Sequence, residues 1–120
     1  MYKEVALKNT LALAFVGDSV MDLLTREKLV QNTNFNVAIL HKQASSVVCA
    51  RAQSKCFLEI EPQLTEDELD VARRARNAKH HTTPSNCSLT EYRNATALEA
   101  VIGYNWLSGN KERCAELIGG

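Results

Sequence analysis

The chain is poor in the residues that interrupt regular structure. Its 120 residues include only two prolines, Pro62 and Pro84, and five glycines, at positions 17, 103, 109, 119 and 120. A β sandwich or barrel needs a turn every ten residues or so, and this sequence lacks the punctuation for it. No apolar segment reaches the ~18 residues that cross a bilayer. The start, Met1-Tyr2-Lys3-Glu4-Val5, has no basic region followed by a long apolar stretch, so it does not read as a secretory signal. Both absences point to a cytoplasmic protein without a membrane partner. There is no charge excess either. Fourteen basic residues balance fourteen acidic ones, which argues against indiscriminate polyanion binding but leaves room for a local basic patch. The cysteines, Cys49, Cys56, Cys87 and Cys114, form no CxxC pair and no zinc-knuckle spacing, and they read as free thiols in a reducing compartment. Aromatic residues are few, and Phe57, Tyr104 and Trp106 read as core or interface residues, not as platforms for stacked bases.

What is present is helical pattern. The length suits one domain, spanning 1–120, with a real core. A first helix is expected from about Leu7 or Asn9 to Val30. A short strand over Leu11–Val16 with a turn at Gly17-Asp18-Ser19 is the rival, and it fails to explain why the apolar pattern continues through Leu23-Leu24. Gly17 inside a helix costs about 1 kcal/mol against alanine, which close packing of another backbone would offset. A second helix is expected over Val37–Leu58, ending before Pro62. Thr65-Glu66-Asp67-Glu68 and Ser88-Leu89-Thr90-Glu91 are capping boxes that open two further helices. The second of these runs to about Leu107, where Ser108-Gly109-Asn110 stops it, and a last helix spans Lys111–Ile118. The loop between the capped helices covers His80–Asn86. The sum is an all-α domain of five or six helices.

Two carboxylates interrupt apolar helix faces. Asp18 shares a face with Leu11, Ala14, Phe15, Met21 and Asp22; Glu99 shares one with Ala95, Thr96, Ile102 and Gly103. A buried carboxylate needs a counter-charge, hydrogen bonds or a metal. Two of them on separate helices explain each other if they converge on a divalent cation, although buried acids more often accept hydrogen bonds from neighbouring groups. A basic cluster, Arg73, Arg74, Arg76, Lys79, His80 and His81, sits at the end of one helix and in the loop after it. Alone it reads equally as a complement to the helix C-terminus or as a phosphate-binding strip. Lys42, Arg51, Lys55 and Arg93 are weaker candidates for the same role. Adjacent histidines at 80 and 81 do not suit metal ligation, and Ser45-Ser46, nucleophilic only with a base nearby, read as helix-surface or packing serines.

Several segments resemble a known family. Leu13-Ala14-Phe15-Val16-Gly17-Asp18-Ser19-Val20 resembles the ribonuclease III signature, and Thr96-Ala97-Leu98-Glu99-Ala100-Val101-Ile102-Gly103 its second catalytic segment. His41-Lys42-Gln43-Ala44-Ser45-Ser46, Arg74-Ala75-Arg76-Asn77-Ala78-Lys79 with Thr82-Thr83-Pro84, and Tyr92-Arg93 are similar to the short bacterial branch, Mini-ribonuclease III. The resemblance implies a dimeric ribonuclease III endonuclease-domain bundle of five to seven helices, without the double-stranded-RNA-binding domain of the longer enzymes. It implies a Mg²⁺-dependent endoribonuclease (Mn²⁺ as substitute) that hydrolyses double-stranded RNA with a metal-activated water and leaves 5′-phosphate and 3′-hydroxyl ends. The implied substrate is precursor 23S ribosomal RNA, with a ribosomal protein as a candidate presenter. Asp18 and Glu99 match the metal-binding catalytic carboxylates. Arg73, Arg74, Arg76, Lys79 and His80 become RNA contacts. Asp22 and Thr96 are candidates to orient water around the metal, a plain surface or interface role being the alternative for Asp22. Two further acids of the longer enzymes are replaced here by Ala14 and Thr96, as in the Mini branch. The competing readings are a non-catalytic RNA-binding or ribosome-associated module on the same fold, and a helical interaction domain with no nucleic-acid role.

Overall fold

Helix α1 (Thr10–Asn32) and helix α5 (Leu89–Leu107) cross at the centre of the molecule, and the other helices are arranged around that crossing. The computed structural model describes residues 2–78 and 86–119. Among these residues it contains α2 (Val37–Val47), α3 (Ala50–Ile60), α4 (Glu66–Asn77) and α6 (Lys111–Gly119), two short 3-10 segments, Tyr2–Leu7 and Glu61–Gln63, and no strand. The all-α expectation holds.

α5 is central because its sequence is apolar on nearly every side. Ala95, Ala97, Leu98, Ala100, Val101, Ile102 and Gly103 are all buried, as expected of a helix without a polar stripe. α1, α3 and α4 pack around it. The capping box is formed as expected: the Ser88 side chain accepts from the Glu91 N–H, and Glu91 accepts from the Ser88 N–H at 2.9 Å. Gly109, at φ 87°, supplies the left-handed turn that ends the helix run before α6.

The single helix expected over Val37–Leu58 is two. The last bond of α2 runs from the Val48 N–H to the Ala44 carbonyl, and Cys49 is extended at φ −79°, ψ 157°. α2 buries only Ala44 and packs on α1, whereas α3 buries Gln53, Ser54, Phe57 and Ile60 and packs on α5. One straight helix could not present both faces. The β-branched pair Val47-Val48 makes the break inexpensive.

Glu68 does more than close its capping box. It is 2% exposed, and its carboxylate also accepts from Asn105 Nδ2 at 2.8 Å and from Arg113 Nε and Nη2 at 3.0 and 2.8 Å. Burial alone would raise its pKa. Hydrogen bonds from Arg113, the Thr65 N–H and Asn105, together with the Arg113 charge, instead hold it down to about 2. One carboxylate thus ties α4, α5 and α6 together. Removing one partner of such a pair leaves a buried charge short of donors. Arg113→Ala is expected to cost about 2–3 kcal/mol at pH 7, discounted for the partial exposure of the arginine. A folded pKa held below the unfolded value stabilises above about 4.5 and loses that contribution as pH falls toward about 2. Urea denaturation of both proteins should therefore show the difference at neutral pH and its disappearance in acid.

All four cysteines are free thiols. Cys114 is buried; desolvation pushes its thiol up to about 11, and its Sγ donates to the Ile102 carbonyl at 3.3 Å.

Candidate active site

The crossing of α1 and α5 is a contact between backbones. A Cβ added to Gly17 would lie 1.7 Å from the Glu99 carbonyl oxygen, and one added to Gly103 would lie 1.9 Å from the Leu13 oxygen. Only glycine fits either place. Gly17 precedes Asp18, and its contact is Glu99 itself, so the closest approach of the helices also brings the two carboxylates together. Their carboxyl groups are within hydrogen-bonding range of each other.

The two acids divide the burden differently from the sequence reading. Asp18 is exposed, and so is Phe15 at 80%, so that the buried face of α1 is Leu13, Ala14, Gly17, Val20 and Met21 instead. The face drawn through Asp18 lies at the edge of the apolar stripe, not within it. Glu99 is the strained group. Burial, then the hydrogen bond and charge of Asp18, push it up to about 8. Burial and the nearby Asp18 thus favour the protonated form of Glu99 at neutral pH. A divalent cation between the two would replace that proton and reverse their repulsion. The donors are hard oxygens, as such a cation requires. Among the described residues no three His, Cys, Asp or Glu side chains converge. A cation held here would find two carboxylates, Asp18 and Glu99, among the described residues.

Residues 11–110 match the family described as Ribonuclease III domain. The chain is 43% identical to a Mini-ribonuclease 3 of Brevibacillus brevis, over 93% of this chain and 84% of that one. It is 40% identical to the Mini-ribonuclease 3 of Enterococcus faecalis, over 98% of this chain and 88% of that one. A crystal structure of a protein from Fusobacterium nucleatum superposes with a TM-score of 0.85 at 34% identity, covering 92% of this chain and 88% of that one. This chain belongs to the ribonuclease III family, in its Mini-ribonuclease III branch. Members of the family are endoribonucleases and generally depend on a divalent metal.

Within this Mini-ribonuclease III, the replaced acids border the pair. Ala14, one turn before Asp18, is 7% exposed. Thr96, 6% exposed, gives its hydroxyl to the Tyr92 carbonyl at 3.0 Å. Asp22 pairs with Arg26 at 3.3 Å.

The basic cluster splits on inspection. Arg73 and Arg76 remain on the surface; Arg73 pairs with Asp70, and Arg76 lies 4.0 Å from Glu61 and over the Phe57 ring. Arg74 is turned to a different task. Its guanidinium donates to Asp70 and to the Ala6 and Lys8 carbonyls, which pins the N-terminal 3-10 segment to α4. Charge pattern alone does not reveal those backbone acceptors, which give Arg74 a packing role in the fold. Lys79, His80 and His81 lie outside the described residues.

Proposed function

We propose that this endoribonuclease cleaves double-stranded RNA in a Mg²⁺-dependent hydrolysis, with Asp18 and Glu99 holding the metal. The observation that carries the reading is the pair of carboxyl groups in mutual reach across the α1–α5 crossing, where burial and Asp18 push the Glu99 pKa up. A non-catalytic RNA-binding module has no use for such a pair. Mg²⁺ suits the site because it binds through one or two carboxylates and keeps waters and phosphate oxygens as its other ligands. When bound it supplies charge stabilisation at phosphorus and a water of lowered pKa. Mn²⁺ serves as substitute. Asp18, on the solvent side, meets the phosphate; Glu99, on the core side, gives up its proton and is kept in place by the rigid crossing. Thr96, with its hydroxyl committed to Tyr92, shapes the wall, and Asp22 holds Arg26 one turn further along α1. No side-chain nucleophile is required, and the products carry 5′-phosphate and 3′-hydroxyl ends.

The enzyme works as a homodimer in this reading. Phe15, Leu23 and Val30 lie on one side of α1 at 80%, 50% and 63% exposure, with Val37 of α2 at 66%. Apolar area of that kind on one face calls for a partner, and a second copy there sets two carboxylate pairs on opposite RNA strands. Arg73 and Arg76 reach phosphates, and Lys79 and His80 extend the same strip. The substrate is precursor 23S ribosomal RNA, processed in the cytoplasm with a ribosomal protein as candidate presenter. Among the described residues no helix is long and apolar enough to cross a membrane.

Purified protein is expected to cut long duplex RNA in Mg²⁺, to leave it intact in chelator, and to spare single-stranded RNA and duplex DNA. Duplex RNA that survives saturating Mg²⁺ sinks the proposal.

A further inference from the structure

Six of the seven arginines are matched with a carboxylate: Arg26 with Asp22, Arg51 with Glu91, Arg73 and Arg74 with Asp70, Arg76 with Glu61, and Arg113 with Glu68. Arg93 is the exception. Among the described residues no acidic group lies within 4.0 Å of it, and it makes no hydrogen bond or ring contact. The undescribed segment 79–85 contains no aspartate or glutamate to supply one.

Its place makes the missing partner informative. Arg93 is exposed on α5 and lines a depression of about 780 Å³ together with Arg76 and Asn77 from the C-terminal end of α4. That depression is polarised. Glu66 and Asp67 border it from the first turn of α4, while Arg73, Arg76 and Asn77 border it from the last two turns. Glu61 and Asp70 also line it, but each is already opposed by an arginine. Of the three arginines that line it, Arg93 alone has no carboxylate opposite it among the described residues. An arginine with a free planar fork is suited to a phosphate. Arg93 precedes Glu99 by six residues on the same helix, roughly 9 Å along the axis and about a third of a turn around it. A phosphate held there belongs to a nucleotide a few positions from the one at the carboxylate pair.

We propose that Arg93 is a phosphate-binding residue for the RNA backbone, acting with Arg76 and Asn77 as a subsite that sets the register of the strand against Asp18 and Glu99. This rests on the duplex-RNA reading above. The ligand is the RNA phosphodiester itself. Each phosphate contact made through a cation releases counterions and adds about one to the dependence of log affinity on log salt. Fluorescence anisotropy of a labelled RNA duplex in chelator, at several salt concentrations, measures that slope for wild type, Arg93→Ala and Arg93→Lys. Arg93→Ala is expected to bind about tenfold more weakly and to lower the slope by about one. Arg93→Lys should restore the slope and only part of the affinity, because it keeps the charge without the fork. Thermal melting of the variants should match wild type, since no contact within the described fold is removed. If wild type binds and Arg93→Ala binds with unchanged affinity and slope, the proposal is overturned while the duplex-RNA reading stands. If wild type binds no duplex in chelator or in Mg²⁺, both are overturned.

Discussion

Glu99→Gln is expected to lose duplex-RNA cleavage by a factor on the order of 10³ or more, and at the same time to make the metal-free protein more stable above pH 8. The first effect follows if one of two protein ligands to the cation is lost: a few kcal/mol of transition-state charge stabilisation corresponds to about three powers of ten. The second follows from the state of the carboxyl group. Its folded pKa is raised to about 8 by burial and by the neighbouring Asp18, against about 4.5 in the unfolded chain. Between those values the native protein binds the proton and the unfolded chain does not. Native stability therefore falls as pH rises through that window, and the loss is complete above about 8. Glutamine keeps the shape and the hydrogen bond to Asp18 but never ionises. The variant should gain roughly 2–4 kcal/mol over wild type at pH 9 in chelator, and little at pH 4. Melting curves at both pH values, beside single-turnover cleavage in Mg²⁺, read the two effects separately. A variant that loses activity without the alkaline gain in stability would mean that Glu99 is not held protonated beside Asp18.

Gly17→Ala carries the second large effect. The new Cβ would lie 1.7 Å from the Glu99 carbonyl oxygen and 3.0 Å from the Gly103 nitrogen, and both obstacles are backbone. Neither can rotate away, so the helices must separate. A loss of about 4 kcal/mol or more is expected, at the upper end of overpacking costs because no side chain absorbs the strain. In a domain of this size the melting temperature should drop by at least about 10 °C. Gly119→Ala is the control, since nothing lies within 4 Å of the added atom. Circular dichroism melts decide the matter, and a Gly17→Ala protein as stable as the control would refute the close crossing. Any folded remainder should cleave poorly, because separation of the helices also moves Asp18 from Glu99.

The elements of this fold were legible where their signals are local. Asn9 caps α1 by accepting from the Leu11 N–H, and both capping boxes form, because those residues bond within one turn of themselves. The break at Val48-Cys49 was not legible, since neither Gly nor Pro marks it and its cause is the different partners of α2 and α3. The carboxylate pair was legible as two acids on apolar helices, but not the division between them. Periodicity locates a face to within about one residue's rotation, and Asp18 falls just outside the buried stripe while Glu99 stays within reach of it. Arg74 and Glu68 illustrate the remaining limit. Their partners are the Ala6 and Lys8 carbonyls in one case and Asn105 and Arg113 in the other, between 37 and 68 residues away in sequence. No local rule could pair them.

The glycine crossing has a consequence for how such an enzyme can change. The approach of the two helices that carry the carboxylates is gauged by main chain against main chain. Substitutions at Val71, Phe57 or Leu117, all buried at 0–3% exposure, are therefore expected to change the melting point while leaving the main-chain contact at Gly17 and Gly103 in place. Stability is then open to tuning in the interior while the gauge at the crossing stays where it is.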